Sequence, residues 1–168
     1  IIESQCPNVK KIIISVCSSD SSTFQGLIDL GELISMDKKI QQICFFTACM
    51  FNNDLKIIKY LISNLGIDVN HVDGNGNNCL MRACWKNTNL EITKYLTDDL
   101  KMDPNQMDND GDNCLALACM NKNPEIVKYL INDLKMDQNH VNYDGDNCLA
   151  YACMNQNPEI AKYLIEDL

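Results

Sequence analysis

The sequence predicts an all-α solenoid of stacked helix–turn–helix units joined by Asp/Gly hairpin loops. Three observations carry that expectation. Paired cysteines recur at 44/49, 79/84, 114/119 and 148/153, so the pairs follow one another at 34 or 35 residues. Around them whole segments line up without gaps, as in Asn78-Cys79-Leu80-Met81-Arg82-Ala83-Cys84, Asn113-Cys114-Leu115-Ala116-Leu117-Ala118-Cys119 and Asn147-Cys148-Leu149-Ala150-Tyr151-Ala152-Cys153. Between the copies lie Asp73-Gly74-Asn75-Gly76, Asp108-Asn109-Asp110-Gly111 and Asn142-Tyr143-Asp144-Gly145. A period of this length marks units that cannot bury an apolar face alone and stack on their neighbours.

Residues 1–43 lack the Asp-Gly loop but offer two helices, Asn8 to Cys17 and Ser22 to Ser35. They read as a degenerate leading repeat that caps the stack, with a small independent domain as the alternative. Repeats then fall at about 44–78, 79–113, 114–147 and a truncated 148–168. Asn78, Asn113 and Asn147 stand where an asparagine oxygen can accept from the first free amides of a helix. That first helix is slim, because Ala83, Ala118 and Ala152 with the cysteines allow a neighbouring backbone to approach. A second cap follows at Asp54, Asn89, Asn123 or Asn157; Pro124 and Pro158 sit at the first helical position, and Glu125 and Glu159 face the positive helix end. Ile126, Leu130 and Leu134, widened by Val127 and Ile131, give the second helix one buried face. In the loops, Gly after Asn or Asp supplies the positive φ of a tight tip.

Composition excludes several functions. The chain of 168 residues is 46% hydrophobic and 22% charged, with a formal net charge of −9. Arg82 is its one arginine, so a phosphate-tracking surface would work against the average field and nucleic acid is not an expected partner. The longest apolar run, Ile12 to Cys17, falls far short of the ~18 residues that cross a bilayer. A soluble chain with no membrane partner is expected. It starts without Met and stops at Leu168 in mid-repeat, and so reads as a piece of a longer protein.

Catalytic and metal chemistry find little support. Zinc needs four ligands converging at about 2.3 Å. Cysteines five apart on a short helix diverge, and equivalent ones in adjacent repeats should lie about 8–10 Å apart, too far for a metal or a disulfide. They read as small buried thiols in a reducing, intracellular compartment, the cytoplasm being the simplest. A calcium-loop alignment on Gly111 puts Gln106 first and Leu117 twelfth, where carboxylates are required. His71 and His140 occupy one scaffold position in two repeats, which argues for structure rather than catalysis. No nucleophile elbow, phosphate loop or His-Glu-Xaa-Xaa-His is present, so neither an enzyme nor a cofactor is expected. Arg82 stands where other repeats carry Thr47, Leu117 or Tyr151 and is expected to pair with a neighbouring carboxylate.

At this point the unit resembles an ankyrin repeat. The resemblance rests on Asp108, Gly111, Leu115, Ala118, Glu125-Ile126-Val127-Lys128, Leu130, Asp137 and Asn139, and it extends from about 44 to 168. The opening departs from the family's Thr-Pro-Leu-His, being Asn-Cys-Leu, and Asn replaces the glycine between the helices. Heavy use of Asn, Ile and Lys with Asn-Cys-Leu openings is similar to the ankyrin arrays of giant DNA viruses of amoebae, which would place the protein in host cytoplasm.

The resemblance implies a protein-binding module, an adaptor or scaffold whose partner lies against the first helices and the hairpin tips. Carried over residue by residue, it marks Met50, Trp85, Met120 and Met154, each followed by Phe51, Lys86, Asn121 and Asn155 respectively. Beside this apolar ladder the tips offer Asn75, Asn77, Asp110, Asp112, Tyr143, Asp144 and Asp146. An acidic rim around an apolar stripe suits a basic or amphipathic protein segment. A monomer or weak self-association is expected. The alternative is a structural role, for example in a virion, with the array self-associating through its stack.

Overall fold

The computed structural model describes residue 33, residues 35–155 and residues 158–166. The two helices expected of the leading repeat, and the Asn157 cap, lie essentially outside the described residues. Two compact units divide between Val69 and Asn70.

In the first unit Asp37 starts helix α1 (Lys38–Phe51) by accepting from the amide of Lys39 at 2.7 Å. The expected repeat opened at Cys44; the helix instead begins six residues earlier, because residues 38–43 continue its pattern from a good cap and the preceding sequence has no Asp-Gly loop. Helix α2 (Leu55–Leu65) is capped by Asp54 and buries Ile58, Leu61 and Leu65, a stripe at helical spacing, in a helix packed on α1. It ends at Gly66, whose φ is 58°. There the Lys38 ammonium donates to the Leu65 carbonyl, and Gln42 reaches the Asp68 carbonyl at 3.0 Å.

The second unit holds three repeats in two layers. First helices α3 (Cys79–Lys86), α5 (Cys114–Ala118) and α7 (Cys148–Met154) pack side by side. Second helices α4 (Leu90–Lys94), α6 (Pro124–Asn132) and α8 (Pro158–Glu166) form the other layer, each against the first helix of its own repeat. Asn78, Asn113 and Asn147 cap the first helices through their side-chain oxygens, and Asn89 and Asn123 cap the second. Fully buried Cys79, Leu80, Cys84, Cys114, Cys119, Ile92, Leu96, Ile126 and Leu130 fill the space between the layers. Tyr129 ties the second helices together, donating to Asp98 at 2.7 Å and lying 2.7 Å from the Thr97 hydroxyl.

The second helices end in an unfavourable backbone. Helix α4 widens into a π turn over Tyr95–Asp99, and the chain then closes with the Met102 amide on the Leu96 carbonyl. Met136 closes on Leu130 in the same way. Both closures need a left-handed residue, supplied by Lys101 and Lys135 at φ 57° where the first unit uses Gly66.

The tips are built alike. The side-chain oxygens of Asp73, Asp108 and Asn142 each accept from the amides two and four residues on, at 2.9–3.1 Å. Successive tips then join through their backbones: the Asn109 amide donates to Asn75 and the Tyr143 amide to Asp110, both at 3.0 Å. This approach, as well as the positive φ, requires glycine. A Cβ on Gly76 would meet the Asn109 amide nitrogen at 2.9 Å, and one on Gly111 the Tyr143 nitrogen at 3.0 Å, whereas Gly145 has open space.

Two stability outcomes follow. Lys101→Gly and Lys135→Gly should each stabilise the protein by about 0.5–1 kcal/mol in urea unfolding, relief of the left-handed strain exceeding the added chain entropy. Gly111→Ala should destabilise more than Gly145→Ala, since both carry the φ penalty but only the first obstructs the next tip.

Candidate functional site

At the corner between first and second helices each repeat carries an asparagine. The oxygens of Asn52, Asn87 and Asn121 accept from the amides two residues on, Asp54, Asn89 and Asn123, at 2.8–2.9 Å. Asn121 therefore corresponds to Asn52 and Asn87. It does not correspond to Phe51 and Lys86, which are extra residues of the longer repeats. The Asn121 amide group donates across the stack to the carbonyls of Cys84 and Asn87 at 2.7 and 2.8 Å. Asn155 repeats the arrangement on Cys119 and Asn121, both at 2.7 Å. Asn123 adds a bond to the Thr88 carbonyl at 2.8 Å.

This corrects the site expected from sequence. Asn121, 1% exposed, and Asn155 are braces between repeats rather than surfaces for a partner. Asn77 is buried where its tip closes. Asp112 is also buried, accepting from the Tyr151 hydroxyl at 2.7 Å and from Asn142 at 3.0 Å. Burial outweighs those bonds and pushes the Asp112 carboxyl above its usual range, with the Asp108 and Asp110 charges adding to the rise. Burial and the Asp112 carboxylate raise the Tyr151 hydroxyl in turn.

The other expected residues are accessible. In the first unit Met50 is half-buried and Phe51 is 48% exposed. In the second, Asn75, Asp110, Asp144 and Asp146 are exposed at the tips, and Tyr143 is 73% exposed. Met120 (37%) and Met154 (64%) present apolar surface at the far ends of the first helices. Trp85 is half-buried. The Lys86 ammonium lies 4.3 Å from its ring centroid and the Arg82 guanidinium 5.6 Å.

Arg82 is paired, as its position predicts, donating through Nε and a second nitrogen to Asp73 Oδ2. Burial opposes the Asp73 carboxylate, but the Arg82 bonds and the amides of Asn75 and Asn77 outweigh it and hold the acid below its usual range. His140 donates from Nε2 to the Gly111 carbonyl at 2.9 Å, tying one tip to the next.

The described cysteines are thiols, not disulfides, and are buried as expected, except Cys153, which is exposed. The expectation compared only equivalent cysteines, as too far apart for a metal or a disulfide; offset ones meet in hydrogen-bonding contact, Cys114 with Cys84 and Cys119 with Cys148. The second cysteine of one repeat lies against the first of the next, a pairing that comparing equivalent positions overlooks. The shared bonds drive Cys114 and Cys119 up and hold Cys148 down. Cys148 also donates to the Gln138 carbonyl at 3.2 Å, and Cys79 to the Met102 sulfur at 3.5 Å. Among the described residues no group of three or more His, Cys, Asp or Glu side chains is arranged to hold a metal ion. Nor is any described helix long and apolar enough to cross a membrane.

Stacked helix pairs with hairpin tips, held by cross-repeat bonds, define a helical-repeat solenoid. Two family models match it: ankyrin repeats (many copies) over residues 45–97 and ankyrin repeats (3 copies) over residues 87–168. The chain belongs to the ankyrin repeat family over this stretch. Among curated proteins none matches it.

Two outcomes test the energetics. Asn121→Ala should cost about 2–4 kcal/mol in urea unfolding, since buried carbonyls lose their donors. Asn121→Asp should be at least as costly although it keeps the oxygen, which separates the brace from the cap. The Asp73–Arg82 contribution, with a depressed folded pKa, is present above the unfolded value near 3.9 and is lost as pH falls through the folded one. The stability gap between the wild type and Arg82→Gln should therefore narrow as urea unfolding is repeated from pH 6 down to pH 3, with Asp112 cancelling from the comparison.

Proposed function

We propose that this chain is an adaptor or scaffold module that binds a basic or amphipathic segment of a partner protein against its first helices and hairpin tips. Ankyrin repeats generally mediate protein–protein interaction and are typically non-catalytic, which supports the class. One observation carries the finer reading. In the second unit Met120 and Met154 stay exposed at the far ends of the first helices, and Tyr143 stays exposed at the tips beside Asp110, Asp144 and Asp146. An apolar row at one end of the first helices and uncommitted carboxylates at the other match a segment with one greasy and one basic side. Methionine suits this use because its flexible thioether adapts to varied partners. Trp85 adds area at one end of the stripe, and Met50 and Phe51 hold the corresponding places in the first unit.

Capture from cell extract with the wild type, followed by titration of the purified partner, tests the proposal. Trp85→Ala combined with Met120→Ala and Met154→Ala, with the fold checked by circular dichroism, should weaken binding by about ten-fold or more. Asp110→Asn with Asp144→Asn and Asp146→Asn should flatten the salt dependence of association. Unchanged affinity in both variants removes the surface from consideration.

A further inference from the structure

The face just described is acidic at the tips, and a cation, Lys86, stands at the opposite end of a first helix. Lys86 closes α3, is exposed, and makes no ion pair among the described residues. Its ammonium rests on the Trp85 ring at 4.3 Å. Arg82 approaches the same ring but is neutralised by Asp73. The Trp85 indole N–H is buried with no hydrogen-bond partner. A buried donor left without an acceptor is costly, so this corner holds an unmet demand for an acceptor beside an unmatched positive charge.

We propose that the Trp85–Lys86 corner receives a carboxylate side chain from the partner segment. The ammonium would leave the ring to meet the acid, and the indole N–H would turn to donate to it. One charge is the right number, because Arg82 is already matched and the nearby tips are acidic, which disfavours a dianion such as a phosphate. The pairing orients the ligand. The partner's acid sits at the carboxyl end of α3, its apolar residues lie against Met120 and Met154, and its basic residues reach Asp110 and Asp144. This inference rests on the surface reading above and adds the chemistry and polarity of the partner.

Trp85 is the chain's one tryptophan, so its indole N–H resonance and emission report the corner without ambiguity. The probes are the peptides Ac-Glu-Leu-Leu-Gly-Lys-Lys-NH2 and its Gln counterpart, titrated into the whole chain while the indole N–H and the Met120 and Met154 methyl resonances are followed. The Glu peptide should shift the indole signal and bind about five-fold more tightly, a charge-assisted contact at a partly screened site. Non-specific charge works in the opposite direction, since the protein carries a net charge of −9. Lys86→Gln should abolish the preference and Lys86→Arg should keep it. Lys86 is exposed, so both variants should retain the wild-type circular dichroism. Equal affinity of the two peptides with shifted methyl signals overturns the carboxylate assignment and leaves the surface reading standing. A Glu preference that survives Lys86→Gln overturns it as well. Absence of any methyl or indole shift at millimolar peptide overturns both.

Discussion

The last carbonyls of a helix have no partner within it, and in a stacked array those of the first helix are also cut off from water. Here the answer comes from the next repeat, whose corner asparagine donates both amide hydrogens to carbonyls at the end of the preceding first helix. The same side chain accepts from the amide that begins its own second helix. One buried residue thus ends one helix, starts another and fixes the distance between repeats. With glycine in its place the turn could form, but the preceding carbonyls would be left without this donor. The stack is therefore cooperative in a specific sense: each corner is completed only when its successor arrives.

At the other end of the first helices the tips solve a similar problem with a different side chain. An Asp or Asn oxygen holds two amides of its own turn, a glycine makes the reversal, and the following tip lies on the backbone of the one before. Because these bonds use the first residue of the turn and the backbone, the side chains between them point outward. Asp110 and Asp144 are free for that reason. The acidic rim follows from the turn's construction, as does the inward fate of Asn77 and Asp112.

Trp85 and Lys86 belong to a repeat one residue longer at this point than the next. The longer first helix carries both residues to its last turn, where α5 has already closed and offers only Met120. That is why the aromatic ring and a cation share one corner. Arg82, a turn earlier, is held by Asp73 across the mouth of its own tip, occupying the place where Tyr151 uses Asn142 and Asp112 two repeats on. Electrostatically, then, the repeats are alike inside and different on the face.

The Asn caps, Pro124, Glu125 and the Asp-Gly loops determined the helices and their order, because each acts through residues fewer than five apart, and the 34- or 35-residue period of the cysteine pairs determined that the units repeat and stack on their neighbours. The exposed members of the candidate surface, Met120, Met154, Tyr143, Asp110 and Asp144, were legible for the same reason, as places in a repeat. The extra residue is written in the sequence, since the second cap falls ten residues after Cys44 and Cys79 but nine after Cys114 and Cys148, yet only the closed corner shows that Asn121 does the work of Asn87 and not of Lys86. Nor could sequence tell Asp110 from Asp112, identical acids of which one meets Tyr151 from the following repeat. The offset thiol contacts and the unpartnered indole of Trp85 are of the same kind. Tertiary structure alone decided them, because a side chain's burial and bonding depend on what the neighbouring repeat brings within about 3 Å.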